Sequence, residues 1–174
     1  MSQSLSAVEE YAALVAARAP ALLRLAVMLT GSRHEAEDLL QATLARTQKH
    51  AGRIPDMDAP AAYLRRALVH EHISGLRRLS RRVRTASLDG HDALVADASS
   101  AVDQRDATWR LLASLPRQQR AVLVLRFYED LTESQAAAAL GISPNTVKSQ
   151  ARVALQRLRE LAPDAMASFE GVES

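Results

Sequence analysis

Hydrophobic residues recur three and four positions apart along most of the chain, which is the spacing of one face of an α-helix. Within residues 1–84 this pattern predicts four helices. The first opens at a capping box on Ser6 and is interrupted at Pro20. The second, residues 21–30, is apolar almost all round, and we expect it to be buried before Gly31 ends it.

The third and fourth helices of this half are amphipathic. A capping box on Ser32 and Glu35 begins a helix that runs to about His50, and a turn rich in Gly, Pro and Asp separates it from a helix over residues 61–82. The predicted inward positions are Ala36, Leu40, Thr43, Leu44 and Thr47 in the third helix, and Leu64, Ala67, Leu68 and Leu79 in the fourth.

The pattern fades over residues 85–101 and resumes near Val102, which predicts a linker between two helical units. Residues 122–127 form the apolar part of one helix of the second unit. A capping box on Thr132 opens a short helix that ends at Gly141. Ser143 as N-cap, with a proline behind it, then starts a last helix that reaches about Leu161.

Composition strengthens the all-α prediction. Hydrophobic residues make up 48% of the 174 residues but aromatic residues only 3%, so the apolar content is mostly Ala, Leu and Val rather than strand-favouring aromatics. We predict an all-α protein of two small helical domains joined by a flexible linker. The boundaries are 5–84, a linker 85–101, a second domain 102–162 and an acidic tail 163–174.

Several function classes are disfavoured. The chain has no cysteine, which excludes disulfides and thiolate metal sites, and its five histidines are scattered, so we expect no cofactor. No Gly-rich phosphate loop or activated nucleophile points to an enzyme. We also find no apolar run that approaches the length of a membrane span and no signal peptide at the N-terminus. We therefore expect a cytoplasmic, nucleoid-associated protein without membrane insertion.

The net charge of +2 conceals a strong segregation of charge. Residues 61–84 contain seven arginines and one acid, a net charge of +6, and residues 109–162 carry +4. Between them, residues 85–108 carry −4, and the tail carries −3. Two basic segments, each on a predicted helix, indicate a polyanionic partner.

The helix pair between Thr132 and Leu158 has the pattern of a helix-turn-helix, in which the second helix enters the major groove of DNA. An ordinary helical hairpin would share the turn, but it would usually mix charges on its polar face, and this face has no acid between Pro144 and Arg159. The side chains suited to base edges are Asn145, Lys148, Ser149, Arg152 and Gln156. Ser143, Thr146 and the backbone amides at the helix start suit a phosphate.

The other basic segment places its polar residues on one stripe of a single helix, a face that could follow a phosphate backbone. The stripe consists of Arg66, His70, Ser74, Arg77 and Arg81, with Arg78 beside it. Tyr63, at the start of the helix, is either a stacking platform for an exposed base or, more commonly for a single tyrosine, a boundary residue of the core.

Two blocks of sequence resemble a known family. Residues 115–126, 131–137 and 140–150 (LPRQQRAVLVLR, LTESQAA and LGISPNTVKSQ) resemble region 4 of the extracytoplasmic-function (ECF) sigma factors of the sigma-70 family, close to the SigE-like actinobacterial group. Residues 20–26, 29–31, 36–41 and 62–66 resemble region 2. Both blocks occur in the family's order, and the resemblance extends over nearly all of residues 8–161.

The resemblance implies a function and a set of partners. Such a protein would bind core RNA polymerase through its clamp helices and flap tip, and would direct promoter-specific transcription initiation. The polymerase-binding residues would be Glu37, Asp38 and Gln41. The −35 element would be read by Ser143, Asn145, Thr146, Lys148, Ser149, Arg152 and Gln156, and the −10 element by Tyr63, Arg66, His70, Ser74, Arg77, Arg78 and Arg81. An anti-sigma factor is a usual partner in the family.

Some positions depart from the family pattern. Ala42 replaces a common acidic residue, and His50 stands near a common tryptophan. In the −10 helix, His70 and Ser74 replace the usual Asn and Asp, and Gly75-Leu76 replaces an aromatic pair. These changes fall on the surface that would capture a flipped base, and flipping needs a pocket or a stack to offset its cost. Weak, activator-dependent or unusual −10 opening is therefore expected.

Two alternatives remain open. A stand-alone helix-turn-helix regulator would account for the second half but not for Asp38, Gln41 or the arginine-rich helix. A degenerate sigma-like interaction protein, which binds polymerase or a regulator without initiating transcription, would account for the altered −10 surface.

Overall fold

The computed structural model describes residues 2–54, 58–86 and 107–163. Within these ranges all regular elements are helical, as the sequence predicts. They are α1 (Ser2–Thr30), α2 (Arg33–Gln48), α3 (Pro60–Ala86), α4 (Ala107–Ala113), α5 (Arg117–Leu123), a π-helical turn (Val124–Tyr128), α6 (Glu133–Leu140) and α7 (Pro144–Leu161). The chain divides into two compact units, Met1–Arg78 and Leu79–Ser174.

The described residues of the N-terminal half form three helices and not the predicted four. α1 begins at Ser2 and continues through Pro20, so the predicted capping box on Ser6 and the break at Pro20 are both wrong. Tyr11 and Leu22 explain the continuity: they lie eleven residues, about three turns, apart and are both buried. A single continuous helix keeps them on the same face, while Pro20 is exposed and removes one backbone hydrogen-bond donor.

The statement that no apolar run is long enough to span a membrane is also wrong. Residues Ala7–Thr30 of α1 are long and apolar enough by length and composition, because alanines fill the positions between the core residues. In the folded unit this helix packs on α2 with Leu22, Leu25, Ala26 and Leu29 buried. Its charged residues, Glu9, Glu10, Arg18 and Arg24, are exposed.

α1 and α2 are connected by a short turn and by polar contacts between the helices. Thr30 Oγ1 donates to the Ala26 carbonyl at 2.8 Å, and Ser32 caps α2 by accepting from the Glu35 amide at 3.4 Å. The Tyr11 hydroxyl lies 2.8 Å from Thr47 Oγ1. The predicted inward positions of α2 are confirmed: Ala36, Leu40, Thr43 and Thr47 are buried and Leu44 is partly buried.

α3 is the third helix of the first unit and continues beyond that unit's last residue, Arg78. Leu64 and Leu68 are fully buried and Ile73 nearly so, while Ala67 and Leu79 are partly buried. The helix extends to Ala86, so the first two residues assigned to the linker are helical. The rest of the linker and nearly all of the acidic tail lie outside the described residues.

The second unit has a core of its own, made by α4, α5 and α7. Leu115, Leu123, Ala154 and Leu158 form a buried cluster against which partly buried residues of α4 and α7 pack. Arg120 is buried among them at 1% exposure and donates through Nη1 to the Ala113 carbonyl at 3.2 Å. This bond satisfies a carbonyl at the end of α4.

Residues 122–127, predicted to be the apolar part of one helix, change from an α-helix to a π-helical turn at Val124. Val122, Leu123, Val124 and Leu125 are buried, whereas Phe127 is 45% exposed. The extra residue of a π turn rotates the following side chains away from the core.

Candidate nucleic-acid interface

The second unit contains the predicted helix-turn-helix, formed by α6 and α7. Thr132 and Gln135 make a full capping box at the start of α6, and Gly141 ends the helix with φ 70° and ψ 35°. This left-handed conformation is where glycine is favoured, since a Cβ would crowd the backbone. The turn positions α7 so that Val147, Ala154 and Leu158 are buried in the unit.

The opposite side of α7 is exposed. We call this surface the recognition face, and it consists of Ser143, Asn145, Thr146, Lys148, Ser149, Arg152 and Gln156. All of these except the partly buried Thr146 are exposed. Helical periodicity predicts a core stripe of Val147, Ala151, Ala154, Leu155 and Leu158 on the other side, and all five are buried or partly buried. Lys148 and Arg152 therefore extend from a helix whose other side is fixed by packing, which is the arrangement needed to reach base edges in a groove.

The start of α7 is already occupied by local bonds. Ser143 Oγ accepts from the Thr146 amide at 3.1 Å, and the Ser143 carbonyl accepts from the Val147 amide at 3.0 Å. Because Pro144 has no N–H, the Asn145 amide is the one in the first turn that these bonds leave for a phosphate. The sequence predicts that several backbone amides bind a phosphate. In the structure the groups suited to this are the Asn145 amide and the hydroxyls of Ser143 and Thr146.

At the far end of the recognition face, Gln156 forms a hydrogen bond with an acidic residue. Gln156 Nε2 donates to Glu160 Oε1 at 3.2 Å, one turn along the helix. Both residues are exposed, so this bond is easily exchanged for another partner. Glu160 lies just beyond the acid-free stretch that the sequence singles out.

α3 carries a second basic surface, which we call the arginine face: Tyr63, Arg66, His70, Ser74, Arg77, Arg78 and Arg81. The arginines and His70 are exposed, whereas Ser74 and Tyr63 are partly buried. The partial burial of Tyr63 does not distinguish a stacking platform from a boundary residue of the core.

Two residues that sequence reasoning did not select join this surface. Glu71 Oε2 accepts from Arg46 Nη1 of α2 at 2.8 Å, and Glu71 Oε1 lies 3.4 Å from Arg78 Nη2. The Glu71 side chain is only 15% exposed, and the two arginines are 63% and 65% exposed. The one acid of the arginine-rich segment thus connects an arginine of α2 to the arginine face, a contact between distant residues that helical periodicity cannot reveal.

The three residues predicted to bind polymerase are all exposed on α2, and we call them the acidic face: Glu37, Asp38 and Gln41. Arg33 Nε donates to Glu37 Oε1 at 2.9 Å, and His34 Nε2 lies 3.6 Å from Asp38 Oδ2. Exposed pairs one turn apart contribute only a few tenths of a kcal/mol. A partner can therefore replace them at little cost.

These features define the class of the protein as a two-unit helical protein with a helix-turn-helix of the DNA-binding kind. Residues 14–82 match the family described as Sigma-70 region 2, and residues 105–158 match Sigma-70, region 4. The chain belongs to the sigma-70 family of RNA polymerase sigma factors, which bind core RNA polymerase and promoter DNA to direct transcription initiation.

Individual sigma factors are similar to this chain over most of its length. It is 40% identical over 153 residues to an RNA polymerase sigma-E factor of Streptomyces avermitilis, covering 87% of this chain and 83% of that one. It is 39% identical over 153 residues to the sigma-E factor of Streptomyces coelicolor, covering 87% and 84%. An ECF RNA polymerase sigma factor SigL of Mycobacterium tuberculosis is 33% identical over 146 residues, covering 81% and 82%. The resemblance to ECF sigma factors is confirmed.

A solved structure is also similar. It is the sigma factor RpoE in complex with the anti-sigma factor NepR from Bartonella quintana, with a TM-score of 0.52 and 26% sequence identity. The similarity covers 86% of this chain and 94% of that one. The predicted all-α class is confirmed by the fold and by this likeness.

Proposed function

We propose that this sigma factor divides promoter recognition between its two family regions, with the recognition face of region 4 reading the −35 element and the arginine face of region 2 binding the −10 element. The observation that carries the proposal is the coincidence of each family region with an exposed basic surface on a rigid helix. The working division of the chain is 5–84, 85–101 and 102–162, with a tail over 163–174.

Base-specific contact is assigned to the middle of the recognition face. Arg152 and Lys148 are exposed and lie one turn apart. Guanine presents two acceptors to such side chains in the major groove, and an amide such as that of Asn145 suits adenine. Ser143 and Thr146, at the start of α7, would contact a phosphate and fix the register.

The arginine face is assigned to the −10 element, chiefly to its phosphates. Arg66, Arg77 and Arg81 are exposed along one side of α3, and phosphate contacts supply affinity without reading sequence. His70 and Ser74 occupy the positions at which the family pattern has Asn and Asp. The sequence that this protein prefers at −10 would therefore differ from the one that the family prefers, and its opening of promoter DNA would be weaker.

Core polymerase is assigned to the acidic face and to the second unit. Glu37, Asp38 and Gln41 would dock on the clamp helices, where the weak intrahelical pairs of Glu37 and Asp38 exchange for contacts with the partner. The helices of the second unit would hold the flap tip. No catalytic step belongs to this function, since sigma factors are regulators of transcription.

Regulation and location follow the family. Sigma factors act in the cytoplasm, and binding to promoters would associate this one with the nucleoid. The Bartonella quintana sigma factor is bound to an anti-sigma factor. By analogy, an anti-sigma factor is a proposed partner of this chain as well.

The test is reconstituted transcription. The purified protein is added to core polymerase from a Streptomyces species and to a pool of genomic promoter fragments from the same organism, and the transcripts are sequenced. New start sites that share −35 and −10 elements are expected. The consensus at −10 would then report what His70 and Ser74 read.

Two other outcomes would contradict the proposal in different ways. Binding to core polymerase without any transcript would favour the interaction protein or an activator-dependent factor. Absence of binding to core polymerase, with duplex DNA still bound, would favour a stand-alone regulator.

A further inference from the structure

Three charged residues of the first unit form a connected group: Arg46 on α2, and Glu71 and Arg78 on α3. Each guanidinium uses a different oxygen of the same carboxylate, at 2.8 Å from Arg46 Nη1 and 3.4 Å from Arg78 Nη2. The carboxylate is mostly covered and the guanidiniums are mostly exposed. The acid therefore lies beneath two cations that face solvent.

Among the bonds between described residues, these two use only a small part of the hydrogen-bonding capacity of each arginine. A guanidinium has five N–H donors, and each arginine directs one nitrogen toward Glu71. Two guanidiniums repel each other, and a carboxylate bonded to both offsets that repulsion. The group keeps a net charge of +1.

As a simple connection between helices the group would contribute little, because the arginines are about two-thirds exposed and solvent screens such pairs. An arrangement of paired arginines held by a covered acid suits a phosphate, which accepts from guanidinium forks. Arg78 and its neighbours Arg77 and Arg81 are already exposed on the same helix.

We infer that Arg46 is a DNA phosphate contact that extends the arginine face from α3 onto α2, and that Glu71 is a positioning residue which holds Arg46 and Arg78 for that contact. The ligand is the phosphodiester backbone of the promoter strand at the −10 element. This inference rests on the proposed function, since it assumes that the arginine face binds DNA.

Glu71→Gln distinguishes a positioning role of Glu71 from an effect of its charge, because the two predict opposite changes in DNA affinity. The substitution removes a negative charge, so if charge alone mattered, DNA would bind more tightly. The amide offers one acceptor oxygen in place of two, so the guanidiniums lose their common anchor. If Glu71 positions them, Glu71→Gln binds DNA more weakly than the parent although its net charge is higher.

Arg46→Ala tests the contact itself. Holoenzyme made with each variant is titrated with a fluorescent promoter fragment at several salt concentrations. Loss of one phosphate contact should reduce the slope of log K against log salt by about 0.7–0.9, so the parent's advantage over the variant should grow by roughly threefold between about 200 mM and about 50 mM salt. Arg46→Lys, which keeps the charge, should retain most of the slope.

The matched control is Arg18→Ala, which removes an equally exposed arginine from α1, outside all the proposed surfaces. It should leave the slope unchanged. The affinity of each variant for core polymerase and its thermal melt are measured alongside, and both should stay at the parent's values. If Glu71→Gln does not fold, Arg46→Ala and Arg46→Lys decide the question by themselves.

The outcomes are distinguishable. A parent holoenzyme that does not bind promoter DNA overturns the proposed function and this inference with it. A parent that binds, with Arg46→Ala equal to Arg18→Ala, overturns the inference alone. Loss of core affinity in Arg46→Ala, with its salt slope intact, would also overturn it, because Arg46 would then be a polymerase contact.

Discussion

The two basic surfaces of the protein differ in how their charges are surrounded. On the recognition face, Lys148 and Arg152 have no acid within the stretch from Pro144 to Arg159. On the arginine face, Arg78 shares a mostly covered acid with Arg46. A side chain that reads bases must be free to adapt to a groove, whereas one that binds a phosphate gains from being held in place. The difference fits a division between sequence reading and backbone binding.

The largest expected effect comes from the core under the arginine face. Leu64 is fully buried, so Leu64→Ala should destabilise the first unit by about 2–5 kcal/mol and remove binding at −10. Urea unfolding measures the loss of stability. The control is Leu161→Ala, at a residue 59% exposed, which should change stability by less than about 0.5 kcal/mol. Equal stability of the two variants would show that α3 is not held by this core.

Next in size is the loss of sequence reading. Arg152 is exposed, and no hydrogen bond or ion pair joins its side chain to another described residue, so Arg152→Ala should leave the melting temperature unchanged. It should cost about 1–3 kcal/mol of binding to selected −35 sequences and relax preference at one position. Sequencing of bound duplexes from a randomised pool measures both. Arg157→Ala on the same helix is the control, and a uniform loss across all sequences would mean that Arg152 is a phosphate contact instead.

A smaller effect is expected from the turn that positions the recognition face. Gly141 has φ 70°, a conformation that costs another residue about 1–2 kcal/mol, so Gly141→Ala should lower the stability of the second unit by this amount. Gly52→Ala is the control, because a Cβ at Gly52 would meet no atom within 4 Å and its φ is not positive. Thermal unfolding of the two variants should differ clearly, and a Gly141→Ala protein as stable as the parent would contradict the strain argument.

The smallest expected effect has the opposite sign. Gly75 lies inside α3, and a Cβ there would meet no atom within 4 Å. Gly75→Ala should therefore stabilise the first unit by about 0.5–1 kcal/mol, because alanine loses less backbone entropy in a helix. Calorimetry measures the gain. If the stabilised variant binds promoter DNA less well, Gly75 is needed for close approach of the DNA backbone to the arginine face. That result would strengthen the assignment of this face to backbone binding.

Much of the architecture follows from local sequence. The caps at Ser32, Thr132 and Ser143 lie where the side-chain pattern indicates, because a cap is a bond between residues three apart. Gly141 ends α6 for a similarly local reason. The core stripe of α7 follows from periodicity in the same way. The helices of both regions could therefore be predicted from local sequence, whereas the class of protein follows from the resemblance of the motif blocks to the sigma factors.

Tertiary structure decided the continuity of α1, the π-helical turn and the contacts between charged residues. Pro20 is a helix breaker in isolation, but burial of Tyr11 and Leu22 on one face of α1 outweighs the lost hydrogen bond. The π-helical turn at Val124–Tyr128 depends on packing around it. The group formed by Arg46, Glu71 and Arg78 brings together residues up to 32 positions apart. Periodicity reports which face of a helix is buried, but only the packing of one helix on another determines which charges meet.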